Sequence, residues 1–592
     1  MALLDPVRVA KHVMADISTN ENIRYEPEEK PPIAVALGVG LQAALVILAP
    51  IALTVVIVGR IAQQPEEYIS WAVFAALLIS GLTTVLQAVR FGRLGSGYVL
   101  MMGTSGTFIA VCVGALIQGG PETMATLIVV SALFQFLLAA RLSWLRRIFT
   151  PVVSGTVIML IAATVMPLTF ASLTDIPEGT STTGALWAAA STLLVVVLLI
   201  LRAPPQLRLW APIIAIVVGT AVSVPFGLYE TRNVVSDPLI GLPKGSWPGL
   251  NFNVDARFWA LLPAFVVATI VGAIETIGDG VAIQSLSRRK PRATDYRAVQ
   301  GALNADGLGN LLSGLAGTLP NTTYSSSISL AEVTGVASRR VGIVIGVAIA
   351  AVAFFPKVAA LLIAIPAPVA AAYIIALLAL LFVQGLRIIV RDGVDHRKAI
   401  VVGTAFWLGV GFQNHAIFPG LLGDGVLAIL LSNGMTAGAI VAILLMVFME
   451  LTRGRRRRMT TNLETASLPE LNEFLQGLVS RAGWDADATE RLTAAGEETL
   501  AVLMQQYGDE TDNVPTLLVT GRVEGPSAEV EFLTAIEGEN MEDRLAYLGE
   551  LSPVPDDREV SYRLLQHYAS SVSHQKYHGM DIVTVMVKNQ GG

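Results

Sequence analysis

Glu275 and Asp279, in "VGAIETIGDGVAIQ", and Asp306, in "NADGLGNLLSG", are carboxylates set among apolar and small residues. Four residues apart, the first two share one face if the segment is helical. A carboxylate in such a place can accept N–H donors from a ligand, carry a proton, or pair with a nearby arginine as a purely structural group. A second polar concentration follows in "LPNTTYSSSISLAEVTGV" (319–336), which holds Asn321, Thr322, Thr323, Tyr324, Ser325, Ser326, Ser327, Ser329 and Glu332. Hydroxyls at this density offer donors and acceptors without charge.

The surroundings make these residues conspicuous. Of the 592 residues, 53% are hydrophobic, and the mean hydropathy is +0.62. That exceeds an ordinary soluble chain and excludes one as the whole answer. Runs long enough to cross a bilayer lie near 33–59, 69–90, 95–117, 123–142, 151–172, 183–202, 208–227, 258–286, 341–363, 366–388, 399–418 and 425–452. The more polar stretch 298–336 has room for two further segments, which brings the expectation to about fourteen. The first 32 residues are charged and mixed, carry no evident cleavable signal, and are expected outside the bilayer. The single cysteine, Cys112, excludes an internal disulfide.

Charge placement supports this layout. Even-numbered connections carry Arg90 and Arg93, Arg141, Arg146 and Arg147, Arg202 and Arg208, "SRRKPR" (287–292), Arg339 and Arg340, and "RDGVDHRK" (391–398). Odd-numbered ones ("QQPEEY", "IQGGPET", "LTDIPEG", "VSDPLIGLPKG") are nearly free of basic residues. Positive residues favour the cytoplasmic side, so both ends of the 33–452 membrane domain are expected there. Losing both weak segments together would preserve this parity, so the charges do not fix the number. After "RGRRRR" (453–458) the composition becomes that of a small cytosolic α/β domain. Helical periodicity runs through "LPELNEFLQGLVSRAG" and "DATERLTAAGEETLAVLMQQY", and strand-like alternation through "PTLLVTGRV", "AEVEFLTAI" and "MDIVTVMVK".

An ionisable residue inside a membrane costs at least ~2.5–3.5 kcal/mol on insertion and points to function. Transporters built from inverted repeats often interrupt a segment at the same place in each half, and the freed half-helix ends bind substrate near the midplane. With halves of seven segments, the hydroxyl-rich stretch is the third element of the second half. The third element of the first half contains "GSGYVLMMGTSGTF" (95–108), with Thr104 and Ser105. The plainer alternative is that the small residues only let helices approach closely.

At these positions the chain resembles the nucleobase–ascorbate transporters, the xanthine/uracil permeases, over residues 30–450. The resemblance rests on "TPVVSGTVIMLI" (150–161), "ETIGDGVAIQSLSRR" (275–289), "ADGLGNLLSGLAGTLPNTTYS" (305–325) and "TGVASRRVG" (334–342), with the purine-type branch closer than the uracil branch. It implies an α-helical polytopic fold of fourteen segments in two inverted repeats, a core domain that moves against a gate domain, and short strands in segments 3 and 10 paired at the site. It also implies a homodimer in the inner membrane of a bacterium. Glu275 matches the glutamate that binds the nucleobase edge, and Asp279 and Asp306 match positions tied to substrate orientation and proton coupling. Tyr324 and Ser325 match the strand before segment 10.

The chain departs from the family where Gln-Asn or Glu-Asn is expected and Ser326-Ser327 stands, where Ser329 replaces Gly, and where the first-segment Gln-His reads Gln42-Ala43. A serine offers one short hydroxyl in place of a directional amide or carboxylate. The substrate then has to be larger, reach its partners differently or through water, or be something other than a standard nucleobase.

Within the C-terminal domain, "LTAAGEETLAVLMQQYGD" (492–509) resembles the helix of histidine-kinase-type ATPase domains. Glu497 and Glu498 are present, but the magnesium-binding Asn position is Val502, and no Asp-x-Gly-x-Gly box follows. A degenerate, non-hydrolysing module is expected, with no cofactor. His574 and His578 have i, i+4 spacing that would suit a metal on a helix, but no third ligand is apparent, and a solvated surface is the expectation.

Three functions remain open. The first is a proton-coupled (or sodium-coupled) importer of a purine-like base, with Glu275, Tyr324, Ser325, Ser326, Ser327, Thr104, Ser105 and Gln42 at the substrate and Asp279 or Asp306 carrying the proton. The second is an anion carrier resembling the sulfate permeases. The third is a transporter-derived sensor that signals through its C-terminal domain to a cytosolic partner. None of these is an enzyme or a nucleic-acid binder.

Overall fold

The computed structural model describes residues 20, 22–140, 151–177, 179–208, 210–229, 238–253, 255–290, 292–391, 395–414, 417, 431, 434–452, 456–507, 514–524, 526–534, 541, 557–578 and 580–589. Two compact units form. One is 21–287 with 298–449; the other joins the N-terminal end, 288–297 and 450–592.

The larger unit is helical: α1 (Ile33–Ile61), α2 (Glu66–Val89), strand β1 (Met102–Thr104), α3 (Ile109–Ala140), α4 (Pro151–Ser172), α5 (Thr182–Arg202), α6 (Ala211–Ser223), α7 (Ala256–Leu286), α8 (Tyr296–Ala316), strand β2 (Asn321–Thr323), α9 (Ser326–Thr334), α10 (Arg339–Ala353), α11 (Pro356–Ile363), α12 (Ala367–Arg391), α13 (His396–Gln413) and α14 (Gly434–Thr452). Among the described residues seven helices are long and apolar enough to span a membrane alone. The remaining segments are shorter, broken or more polar.

Local chemistry explains the breaks. α3 is two helices merged across Gly120, whose φ of 74° and ψ of 179° are not helical, and Pro121 follows. The expected spans 95–117 and 123–142 meet there, and residues before 106 are extended rather than helical. The expected span 341–363 is not one continuous helix. It is α10 and α11, bent by 83°, because Phe355 leaves the helical region and Pro356 opens the next helix. α7 is started by Asp255, whose carboxylate accepts from Phe258 N at 2.9 Å.

Packing sorts the helices into two groups. α2 lies along α10, α1 packs on both, and α3 packs on α7; separately, α4 lies along α12, α5 packs on α6 and α12, and α13 packs on α4. α2 and α10 meet backbone to backbone, since a Cβ on Gly81 would strike Gly346 O and Ala350. Leu186, Trp187, Leu194, Leu198 and Leu201 of α5 stay exposed, as lipid-facing side chains do. Segments 3 and 10 cross as the antiparallel pair β1–β2, with Met102 opposite Thr323, Gly103 opposite Thr322 and Thr104 opposite Asn321.

The smaller unit holds a five-stranded antiparallel sheet in the order β3-β4-β5-β7-β6: β3 (Arg457–Asn462), β4 (Thr516–Glu524), β5 (Ser527–Thr534), β6 (Ser571–Tyr577) and β7 (Met580–Lys588). Helices α15 (Leu468–Val479), α16 (Ala486–Tyr507) and α17 (Asp557–Tyr568) bury Leu471, Leu475, Leu503 and Leu565 against Val530 and Phe532. Val502 is fully buried in that core. Glu497 is bonded to Asn472 of α15. In the same unit Tyr296 and Tyr577 place their rings 5.1 Å apart.

His574 lies in a strand, so it shares no helix face with His578, and the metal geometry considered for a helix does not form. Instead of lying on a solvated surface, its buried ring accepts from Met541 N at 2.9 Å through Nδ1, and its Nε2 lies 3.2 Å from Asp581. Of the basic stretches read from the sequence, 141–150, 392–394 and 453–455 lie outside the described residues, as do residues 1–19.

Candidate substrate site

The site is built where two chain interruptions meet. β1 leads through Ser105 into a 3-10 turn at Gly106–Phe108 and on into α3; β2 leads through Tyr324 and Ser325 into α9. The short ladder extends at both ends, with Tyr324 N donating to Met101 O and Ser105 N to Pro320 O, both at 2.8 Å. Both half-helices therefore begin beside the crossing, and their first turns are already closed by Ser327 N to Tyr324 O and Ile328 N to Ser325 O on one side and Phe108 N to Ser105 O on the other.

The three carboxylates differ in how far their acceptor capacity is used. Asp279 has both oxygens engaged: Thr323 Oγ1 donates to Oδ2 and Ser325 Oγ to Oδ1, each at 2.7 Å. Asp306, 1% exposed, accepts on Oδ2 from Gln135 Nε2 at 2.6 Å and from Thr276 Oγ1 at 3.0 Å; its Oδ1 is buried without a partner. Glu275 accepts one long bond, 3.4 Å from Thr107 Oγ1 at the start of the first half-helix. Of the three, Glu275 retains the most acceptor capacity.

The hydroxyls divide in a similar way. Ser327 Oγ donates to Tyr324 O at 2.6 Å and accepts from Met101 N at 2.8 Å. It therefore ties the two interruptions together rather than waiting for a ligand. Thr104 Oγ1 donates to Ile51 O of α1 at 3.0 Å. Ser105 Oγ and Ser326 Oγ are buried with no partner, one at the start of each half-helix. Tyr324 Oη donates to Thr104 O at 3.0 Å, and its ring lies so close over Gly103 that a Cβ there would collide with it. Tyr324 and Ser325 follow β2 rather than belonging to it; Ser325 already has helical φ and ψ, and its hydroxyl is held by Asp279. Gln42 sits half-buried on α1 and bonds to none of these residues.

Several participants are invisible to a search for charged or clustered polar residues. Gln135 stands alone in an apolar run, while Thr107, Thr276 and Asn310 lie inside the motifs quoted above but are overshadowed there by the carboxylates and the denser hydroxyls. Their link appears only across elements: Gln135 on α3 bonds Asp306 and Asn310 on α8. Among the described residues no group of three or more His, Cys, Asp or Glu could hold a metal ion. The arrangement provides an acceptor on α7, two free hydroxyls at helix starts, and a packed polar network behind them. This is binding chemistry.

Such a crossing of two half-helices beside a carboxylate-bearing helix defines a polytopic membrane carrier. The model of the Permease family, the xanthine/uracil permeases, matches residues 35–417, and the chain belongs to that family. It is a permease, not an enzyme. It is similar to the xanthine permease XanQ of Escherichia coli strain K12, 29% identical over 458 residues covering 74% of this chain and 96% of that protein. XanP of the same strain is 28% identical over 449 residues (72% and 94%), and the xanthine permease of Bacillus subtilis strain 168 is 25% identical over 415 (69% and 92%). Among solved structures, the transmembrane domain of the cyanobacterium bicarbonate transporter BicA aligns at TM-score 0.47 with 18% identity, covering 67% of this chain and all of that one. The murine anion transporter Slc26a9 aligns at 0.47 with 14% identity (77% and 79%).

Proposed function

We propose that this permease is a secondary active transporter that imports a purine-type nucleobase, xanthine- or urate-like, or a related heterocycle, in symport with a proton. The observation that carries this is the unequal use of the three carboxylates. Glu275, with one 3.4 Å bond, has acceptors to spare for ring N–H donors. Ser105 and Ser326, one at the start of each half-helix, have buried hydroxyls without a partner that suit carbonyl acceptors. Asp279 is occupied in holding Thr323 and Ser325, so we assign it to orientation, and Asp306, with one open oxygen, to the proton. The similarity to xanthine permeases supports the substrate class.

Glu275→Gln keeps the shape but loses the charge and half of the acceptor capacity. Saturable xanthine uptake is expected to vanish; wild-type uptake by this variant would overturn the assignment. In the cell the expected setting is the inner membrane of a bacterium, with both termini cytoplasmic and the carrier a homodimer.

The Ser326 position favours one competing reading, an anion carrier, because an unpaired hydroxyl at a half-helix start suits an anion as well as a carbonyl. Competition of labelled xanthine uptake by xanthine, uracil and sulfate separates the two. Saturable uptake of labelled sulfate with no saturable uptake of labelled xanthine would reject the nucleobase reading.

A further inference from the structure

A line of amides joins Asp306 to the backbone of β2. Asn321 N donates to Asn310 Oδ1 at 2.7 Å, Asn310 Nδ2 donates to Gln135 Oε1 at 2.7 Å, and Gln135 Nε2 donates to Asp306 Oδ2 at 2.6 Å. The orientation of every amide in this line is fixed by its first member. A backbone N–H can only donate, so Asn310 must turn its oxygen to Asn321 and its nitrogen to Gln135. Gln135 must then present its own nitrogen to Asp306. Exposure is 0% at Gln135, 4% at Asn310 and 1% at Asn321, so water does not compete. The side chain of Asn321 is itself held to α2, accepting from Ser80 at 3.2 Å and donating to Thr83 at 3.3 Å.

We propose that Gln135 and Asn310 are positioning residues that transmit the charge of Asp306 to β2, and so to the strand crossing at the substrate site. This rests on the reading that Asp306 carries the coupling proton. Hydrogen bonds aligned head to tail polarise one another, and the bond from Gln135 is charge-assisted while Asp306 is ionised. Oδ2 is engaged by two donors, so an arriving proton goes to the open Oδ1. The bond at Oδ2 then becomes a neutral one, roughly half as strong, and the hold on Asn321 N loosens. The ionisable groups facing Asp306 are Asp279 and Glu275, both on α7; its uncharged partners are the Gln135 amide on α3 and the Thr276 hydroxyl on α7. Substrate binding and proton binding would then meet at one backbone position.

The relay can be read without any ligand, by hydrogen–deuterium exchange of the 319–325 segment in the full-length protein across pH, corrected for intrinsic rates. In the wild type, protection should fall about five- to tenfold as the proton binds. In Gln135→Met it should start at the lower level and stay flat with pH. Gln135→Glu keeps the volume and places a second acid against Asp306, so it tests the same bond should the methionine variant fail to fold. It should also abolish the wild-type step. A step of wild-type size in either variant overturns the relay. The coupling reading fails separately, if Asp306→Asn still accumulates xanthine against its own concentration gradient, driven by a proton gradient, as the wild type does. That result would leave the exchange data to stand as a structural tie only.

Discussion

Ser326 and Ser327 stand side by side where the family resemblance places its recognition pair, yet they have opposite tasks. Ser327 bridges Met101 N and Tyr324 O, so Ser327→Ala leaves a buried N–H unpaired and should cost about 1–3 kcal/mol of stability. Ser326→Ala removes a hydroxyl that bonds nothing; its melting temperature should stay close to wild type while the order of competing substrates changes. Thermal melts and competition assays on the two purified variants check both. Equal loss of stability would mean that Ser326 is structural too. From the sequence the two serines are indistinguishable, and the bond that separates them comes from Met101, 226 positions away. Glu275, Asp279 and Asp306 were legible, because a carboxylate in an apolar run is rare and costly. Gln135 and Asn310 were not, since one amide among apolar or small residues is common.

Elements were readable in proportion to their hydropathy. α1, α2 and α5 are unbroken apolar runs, and their bounds follow from composition alone. The 298–336 stretch hides α8, β2 and α9, because its helices face other helices and can afford glycine, asparagine and serine where a lipid-facing helix cannot. The 83° bend between α10 and α11 was missed because hydropathy is blind to direction; Phe355 and Pro356 break the helix without interrupting the apolar run. The α2–α10 contact depends on backbone proximity. Gly81→Val should therefore force the two helices apart, costing about 1–3 kcal/mol by overpacking and lowering the melting temperature. An unchanged melting temperature would show that α10 yields easily there.

At the scale of the molecule, the composition shift near Met459 marks where membrane helices give way to the sheet unit, although β3 already starts at Arg457. Every residue of the candidate site lies in the larger unit. Removal of 453–592 should thus leave saturable uptake with the same substrate order and change only its rate or its response to the cell. Loss of discrimination among substrates in the truncated carrier would contradict that. Val502, at the position where the resemblance to kinase-type ATPase helices expects a magnesium-binding Asn, is buried in the core of this unit; we propose that the unit regulates or signals rather than hydrolysing nucleotide.

The β1–β2 ladder also bears on how the protein is made. Its three pairs join residues about 220 positions apart, so β1 emerges from the ribosome long before its partner exists. At roughly 5–20 residues per second the wait is about 10–40 s. Through that interval the backbone groups of 102–104 have no strand to bond, and a bilayer core offers no water in its place. The first half of the chain must therefore wait with segment 3 only partly inserted or sheltered by the insertion machinery. The β1–β2 crossing closes late in synthesis, when the second half arrives.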